Sequence, residues 1–270
     1  MPDPYARSCS WYATTSALRA DEARQVGPGA WALRTPAWSR SFVHNALLLT
    51  GDPGPEVVLA WSEQACAGLS HRHVSAYCQL SMATLESLAA NCYQVQPEIV
   101  MGRTVAAGPI RAPHEVQVLA VPADDPRLDL LQARFWHEDW LPEADEATVG
   151  ELVGRRSEMG RAGTVTSVIV LDGGEAVASL DVCVRGDIAE LDALATLASH
   201  RGRGYATALF AAGIDLAEQA GAELVLLTAL ADDWPRHWYA RLGWQDLGPV
   251  TEATIHPEAA SPPASDDAPR

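Results

Sequence analysis

The stretch His200-Arg201-Gly202-Arg203-Gly204-Tyr205-Ala206-Thr207-Ala208-Leu209 joins a strand-like run to an amphipathic helix through a loop of arginine and glycine. Upstream, residues 188–196 (Ile-Ala-Glu-Leu-Asp-Ala-Leu-Ala-Thr) predict a strand. Downstream, Ala206, Leu209, Phe210, Gly213, Leu216, Ala217 and Ala220 recur at helical spacing until Gly221 stops the helix. The junction is therefore a helix N-terminus, where unpaired N–H groups and the positive end of the helix dipole favour a phosphate or pyrophosphate. Gly204 lets the backbone approach the anion, Ala206 keeps the next turn small, and Arg201 and Arg203 add charge. The spacing fits neither a dinucleotide fingerprint nor a Walker loop.

A second short strand over 223–228 leads to Asp232-Asp233-Trp234-Pro235-Arg236-His237-Trp238-Tyr239-Ala240-Arg241-Leu242-Gly243-Trp244, where acidic caps, an early proline and a closing glycine bracket a short helix. Arg201-x-x-Gly204-x-Ala206 resembles the pyrophosphate loop of the GNAT superfamily, the acyl-CoA-dependent N-acyltransferases. Tyr239-x-x-Leu242-Gly243-Trp244 resembles that family's Tyr-x-x-Leu-Gly-Phe helix end. The resemblance covers residues 114 to 255. It implies an α/β protein with a mixed sheet, and acetyl-CoA as co-substrate.

Around this pair the second half predicts strand 115–121, helices 125–137 and 145–159, strands 164–171, 175–184 and 188–196, helix 204–220, strand 223–228, helix 234–242 and strand 245–254. The first half repeats the later part of that order: strand 42–49, helix 55–67, strand 72–78, helix 83–91, strand 97–103. Leu88-Ala89-Ala90-Asn91-Cys92-Tyr93 falls where Ala240-Arg241-Leu242-Gly243-Trp244 falls in the second. This reads as a degenerate internal duplication, two GNAT-like domains in tandem. The corresponding loop, 50–56, has two acids, no arginine, and prolines that delete N–H donors, so it should repel a pyrophosphate. The expected division is 1–110 for the degenerate copy, 111–256 for the acetyl-CoA-binding copy, and a disordered tail over 257–270, rich in Pro, Ala, Ser and Asp. Residues 106–113, with one glycine and two prolines, read as a linker without chemistry.

The chain has 270 residues, 48% of them hydrophobic, and a net charge of −16. That charge argues against non-specific nucleic-acid binding, which needs clustered Lys and Arg. It is compatible with a cationic amine, but an acidic, solubilising surface explains it without any partner and is the preferred reading. With no apolar run long enough for a bilayer and no leader-like start, the reading is a cytoplasmic protein without a membrane segment. Five dispersed cysteines show no paired spacing, so neither a disulfide framework nor a zinc site is expected. His71-x-His73 lacks a completing ligand nearby, and no metal is assigned.

Acyl transfer to an amine requires a deprotonated amine, a polarised thioester carbonyl and a protonated leaving thiolate. A lysine-like amine gives up its proton at pH 7 at a cost of about 4.6 kcal/mol, an α-amine at about 1 to 1.5 kcal/mol. The resemblance places Glu190 at a position used for a general base, and Asp192 shares its strand face as the alternative. Both also suit a solvent-facing sheet surface, and a water chain could replace them. Tyr239 corresponds to the family's general acid. Backbone groups of Ala195, Thr196 and Leu197 fall beside the pantetheine arm, and one of them would serve the oxyanion. Arg201, Gly202, Arg203, Gly204, Tyr205 and Ala206 would hold the pyrophosphate. Asp232 stands where many members place an asparagine. Trp136, Glu138 and Trp140 are candidate acceptor contacts, suited to a cation, while packed tryptophans beside surface acids explain them equally. The resulting expectation is direct acetyl transfer to a primary amine on a small molecule or peptide. A non-catalytic acyl-CoA sensor or scaffold is the alternative, and quaternary state stays open between monomer and homodimer.

Overall fold

A computed structural model describes residues 3–113 and 115–256, so the expected tail at 257–270 lies outside the described residues. The elements are α1 (Pro4–Arg19), β1 (Glu22–Gly27), β2 (Ala30–Arg34), β3 (Leu47–Leu49), α2 (Pro55–Ala65), β4 (Arg72–Ala76), α3 (Met82–Ala90) and β5 (Gln94–Thr104) in the first half. The second half has β6 (Val118–Pro122), α4 (Pro126–Phe135), α5 (Glu146–Gly154), β7 (Thr164–Asp172), β8 (Glu175–Arg185), β9 (Ile188–Thr196), α6 (Tyr205–Gln219), β10 (Leu224–Leu230), α7 (Trp234–Arg241) and β11 (Gln245–Ile255). This is the expected mixed α/β fold. Among the described residues no helix is long and apolar enough to cross a membrane.

All strands join one eleven-stranded sheet in the order β1-β2-β3-β4-β11-β5-β10-β9-β8-β7-β6. β3 pairs parallel to β4, as β9 does to β10, and the remaining ladders are antiparallel. The order β3-β4-β11-β5-β10-β9 reads alike from both ends. Each half runs strand, helix, parallel strand, helix, and then sends its last strand onto the other half: β5 pairs with β10, and β11 with β4. The two exchanged strands meet along a ladder from Gln245↔Gly102 to Thr254↔Gln94. The linker 106–113 therefore does not mark where the sheet divides.

The helix ends repeat as well. Tyr93 donates its N–H to the Leu88 carbonyl at 3.1 Å, and Trp244 donates to Tyr239 at 3.1 Å. Cys92 (φ 66°) and Gly243 (φ 94°) take the left-handed position one residue earlier. Leu88, fully buried, thus stands where the second copy has Tyr239.

Several boundaries differ from expectation for visible reasons. The strand foreseen at 42–49 is a 3-10 turn, Phe42–His44, followed only by β3. Asn45 explains this: its Oδ1 accepts from Thr35 N at 3.1 Å, and its Nδ2 donates to the carbonyls of Trp38 and Ser41 at 2.7 and 3.1 Å. Side-chain bonds to the backbone thereby replace ladder bonds. Helix 125–137 stops at Phe135 and widens into a π turn, Trp136–Trp140, while helix 145–159 tightens after Gly154 into the 3-10 turn Arg155–Arg161. α1, β1 and β2 were not foreseen. Asp3 caps α1 and Pro4 opens it, as helix starts often are, but its buried face includes Ser8 and Thr15.

Candidate active site

β9 carries a bulge. Its register against β8 shifts between Ala195↔Ser179 and Asp192↔Asp181, with Ala193 at φ 51°. β10 pairs with β9 only from Leu224↔Ile188 to Leu226↔Glu190. Beyond Glu190 the two strands diverge and open a cleft of about 640 Å³, lined by Leu194, Thr196, the loop from His200, α6, α7 and the Phe135 and Trp140 rings. This volume suits a cofactor-sized ligand.

The loop enters the cleft as the sequence suggests. Arg201, Gly202, Gly204, Tyr205 and Ala206 all line it. Gly204 caps α6 at φ 79°, and a Cβ there would lie 2.5 Å from Pro113 Cγ. The linker thus does take part in the site, by closing over the glycine. Ala208 donates the first intrahelical bond, to Gly204 at 3.1 Å, so the preceding N–H groups of Tyr205, Ala206 and Thr207 have no intrahelical acceptor. Arg201 donates Nε to the Thr196 carbonyl at 3.1 Å and pairs with Asp139 at 2.7 Å. Arg203 pairs with Asp172 at 3.3 Å, which His200 also approaches at 3.3 Å. Both guanidiniums remain about half exposed, at 53% and 50%, and can reach a polyanion. Free amides, a close-approach glycine and two half-exposed arginines fit a pyrophosphate.

The three strand-end residues divide. Leu197 donates its N–H to Val177 at 3.0 Å, so that amide is not available to a ligand. Ala195, two residues earlier, faces β8 with it, opposite Ser179. Thr196 faces the divergent edge, where its carbonyl receives Arg201. Asp232 is exposed and lies outside the cleft lining; the adjacent Asp233 instead caps α7, accepting from Trp234 N at 2.7 Å.

Tyr239 lies in the cleft with its ring stacked on buried Phe210 at 5.4 Å and 21°. Burial, with the fields of Asp233 and Asp192, pushes its hydroxyl up to about 12. Glu190 is buried and accepts from Arg19 of α1 at 2.9 Å. Burial lifts its carboxyl to about 7 against the opposing pull of Arg19. Asp192 is exposed, and among the described residues its carboxylate accepts one hydrogen bond, from Ala193 N at 2.7 Å. Trp140 lines the cleft and meets Trp136 edge-on at 6.1 Å. Glu138 instead pairs with Arg134 at 3.2 Å on the surface, a helix pair one turn apart. The acid of that segment that reaches the site is Asp139. Trp234, Trp238, Leu194 and Pro113 were also missed; only the aromatic content of α7 hinted at them. His71 and His73 are core residues, bonded to the Asn45 carbonyl at 3.1 Å and Thr254 Oγ1 at 2.7 Å.

Two buried groups near the site titrate in opposite senses. Burial, then the fields of Arg155 and Arg19, pushes His44 down to about 3. The unfolded chain therefore takes up a proton below pH 6.5 that the folded chain refuses, and stability falls as pH drops. Glu190, raised by burial, binds its proton more readily when folded and works the other way between about pH 4.5 and 7. Comparing His44→Asn with the parent isolates the histidine. From pH 6.5 to 5 the parent should lose about 1.6 kcal/mol of unfolding free energy relative to the variant in urea titrations. Parallel pH profiles for the two proteins would contradict a neutral, buried His44.

Residues 126–244 match the model of the acetyltransferase (GNAT) family. Among solved structures, a functionally unknown conserved protein from Staphylococcus epidermidis ATCC 12228 is similar at 14% identity, covering 87% of this chain and 94% of that one with a TM-score of 0.69. A GCN5-related N-acetyltransferase from Kribbella flavida is similar at 16% identity, 94% and 96% coverage, and a TM-score of 0.61. A tandem GNAT protein from the clavulanic acid biosynthesis pathway is similar at 14% identity, 95% and 97% coverage, and a TM-score of 0.55. These likenesses extend the shared fold over both halves. No curated protein matches the sequence.

Proposed function

We propose that the protein transfers an acetyl group from acetyl-CoA directly to a primary amine. The observation that carries this reading is the cleft at the β9 bulge, which joins a pyrophosphate-type loop at one end to Tyr239 at the other. Acetyl-CoA supplies the activated acyl group. Arg201, Arg203 and the amides of Tyr205, Ala206 and Thr207 bind its diphosphate.

Asp192 takes the proton from the amine, directly or through water, as the amine nitrogen bonds to the carbonyl carbon. Asp192 is preferred over Glu190 because Glu190 is buried against Arg19, whereas Asp192 is exposed beside the β9 bulge. Glu190 then positions β9 by fastening it to α1. The Thr196 amide faces the divergent edge and donates to the developing oxyanion. As the C–S bond breaks, Tyr239 gives its phenolic proton to the departing thiolate, and regains one from solvent. The first copy supports the second and walls one side of the acceptor site.

Calorimetric titration with acetyl-CoA, followed by thiol release across an amine panel, tests this. Tyr239→Phe should keep the acetyl-CoA affinity and lower kcat by about 100-fold or more, the range for one proton-transfer group. With its hydroxyl near 12, Tyr239 should impose no loss of turnover between pH 8 and 10.5. Binding without thiol release for any amine would favour an acyl-CoA sensor instead.

A further inference from the structure

Each arginine of the loop already carries a carboxylate partner. Arg203 shares Asp172 with His200, both at 3.3 Å, and Arg201 pairs with Asp139 at 2.7 Å. Two arginines thus meet two acids, and the positive charge offered to a diphosphate is smaller than the arginines alone would give.

The two pairs differ in burial. The Asp172 side chain is 48% exposed and that of Arg203 50%, so water and salt screen this pair and can replace either member. Asp139 is only 16% exposed, and among the described residues Arg201 is its one cation in ion-pair range. It reaches the loop from the widened turn that ends α4: Glu138 turns back to Arg134 on the surface, whereas Asp139 crosses to Arg201, next to Trp140 in the cleft wall. Arg201 spends Nε on the Thr196 carbonyl and Nη2 on Asp139, which leaves N–H groups for a phosphate but no uncompensated charge. A phosphate bound to this guanidinium stands within a screening length, about 8 Å at physiological salt, of the Asp139 carboxylate. A guanidinium drawn fully onto the phosphate strips a mostly buried carboxylate of its counter-ion. Either way the acid opposes the ligand.

We propose that Asp139 is a built-in competitor for Arg201, a positioning residue that weakens the hold on the diphosphate of the acyl donor and, after transfer, on that of coenzyme A, so that the product leaves. The proposal rests on the acetyl-CoA reading above for the identity of the diphosphate. Only the Arg201 head changes partner, and the cleft walls stay in place.

The test titrates acetyl-CoA, coenzyme A, inorganic pyrophosphate and acetyl-pantetheine, which lacks the diphosphate, into the parent, Asp139→Asn, Asp139→Ala and Asp172→Asn, with circular dichroism to show each protein folded. Asp139→Asn keeps the size of the side chain and removes its charge. It should bind acetyl-CoA, coenzyme A and pyrophosphate about 10-fold tighter, with the gain in slower dissociation of coenzyme A, and should bind acetyl-pantetheine as the parent does. Asp139→Ala should shift affinity in the same sense, and Asp172→Asn by no more than about 3-fold. Damage to the site weakens binding, so the sign separates competition from a structural role. Acetyl-CoA bound equally or more weakly by both Asp139 variants would overturn the proposal, since Asp139 would then merely orient Arg201, and the acetyl-transfer reading would survive. Equal tightening for acetyl-pantetheine would also overturn it, because no diphosphate is involved. If the folded parent and variants bind none of the four compounds, the proposal and the reading above fall together.

Discussion

The Arg201→Glu, Gly204→Asp double variant should lose acetyl-CoA binding by about 1,000-fold or more in calorimetry. Each charge-assisted contact to a phosphate contributes about 1.5 to 3 kcal/mol, and reversing Arg201 replaces one with repulsion. The second change acts through space and backbone together. Gly204 holds φ 79°, and its added Cβ would fall 2.5 Å from Pro113 Cγ, so the cap must move. A total near 4 kcal/mol gives the stated factor. Tyr239→Phe, which leaves the loop intact, is the matched control. Equal affinity for the parent, the double variant and the control would remove the loop from the cofactor site, provided circular dichroism shows the variants folded.

The second large effect concerns the exchanged strands. Residues 111–270 expressed alone should show no cooperative unfolding transition, and adding residues 1–110 should restore one together with acetyl-CoA binding. β5 supplies Met101 to the core that holds Phe210, Leu227 and Trp244, and Val100 to the opposite face with Trp11, Ile188 and Leu226. Without β5, both β10 and β11 lose a ladder partner and two buried faces open. In the full chain, Met101→Asp tests the same point with one atom group, because an unpaired carboxylate at a fully buried position costs about 4 to 5 kcal/mol or more. A fragment 111–270 that melts cooperatively and binds acetyl-CoA with parental affinity would show that the exchange is dispensable.

The loop, β9, α6, β10, α7 and β11 were legible because apolar runs of distinct period are punctuated there by Gly204, Gly221, Pro235 and Gly243. The first half was read less well. β1 is mostly exposed and α1 buries Ser8 and Thr15, so neither has the apolar rhythm that marks an element. The exchange of β5 and β11 left no trace, since strand pairing across the chain has no local signature. At the site, alternation put Glu190 and Asp192 on one face, but only the fold shows that Arg19, 171 residues away, claims Glu190. Asp139 and Pro113 escaped for the same reason: each meets the loop through a partner distant in sequence.

The ladder between β5 and β11 also bears on how the protein would discriminate among acceptors. A hinge between the halves would have to shear a run of paired residues from Gly102 to Gln94, broken only by a register shift at Leu247, at the middle of the sheet. Jaw-like closure around a substrate is therefore closed to this architecture. On the proposed reading, selectivity would come from a preset mould whose walls keep a constant spacing. Such a mould rejects misfits at the door instead of wrapping what arrives, and its substrate range would be retuned by changing wall side chains, never by loosening a joint.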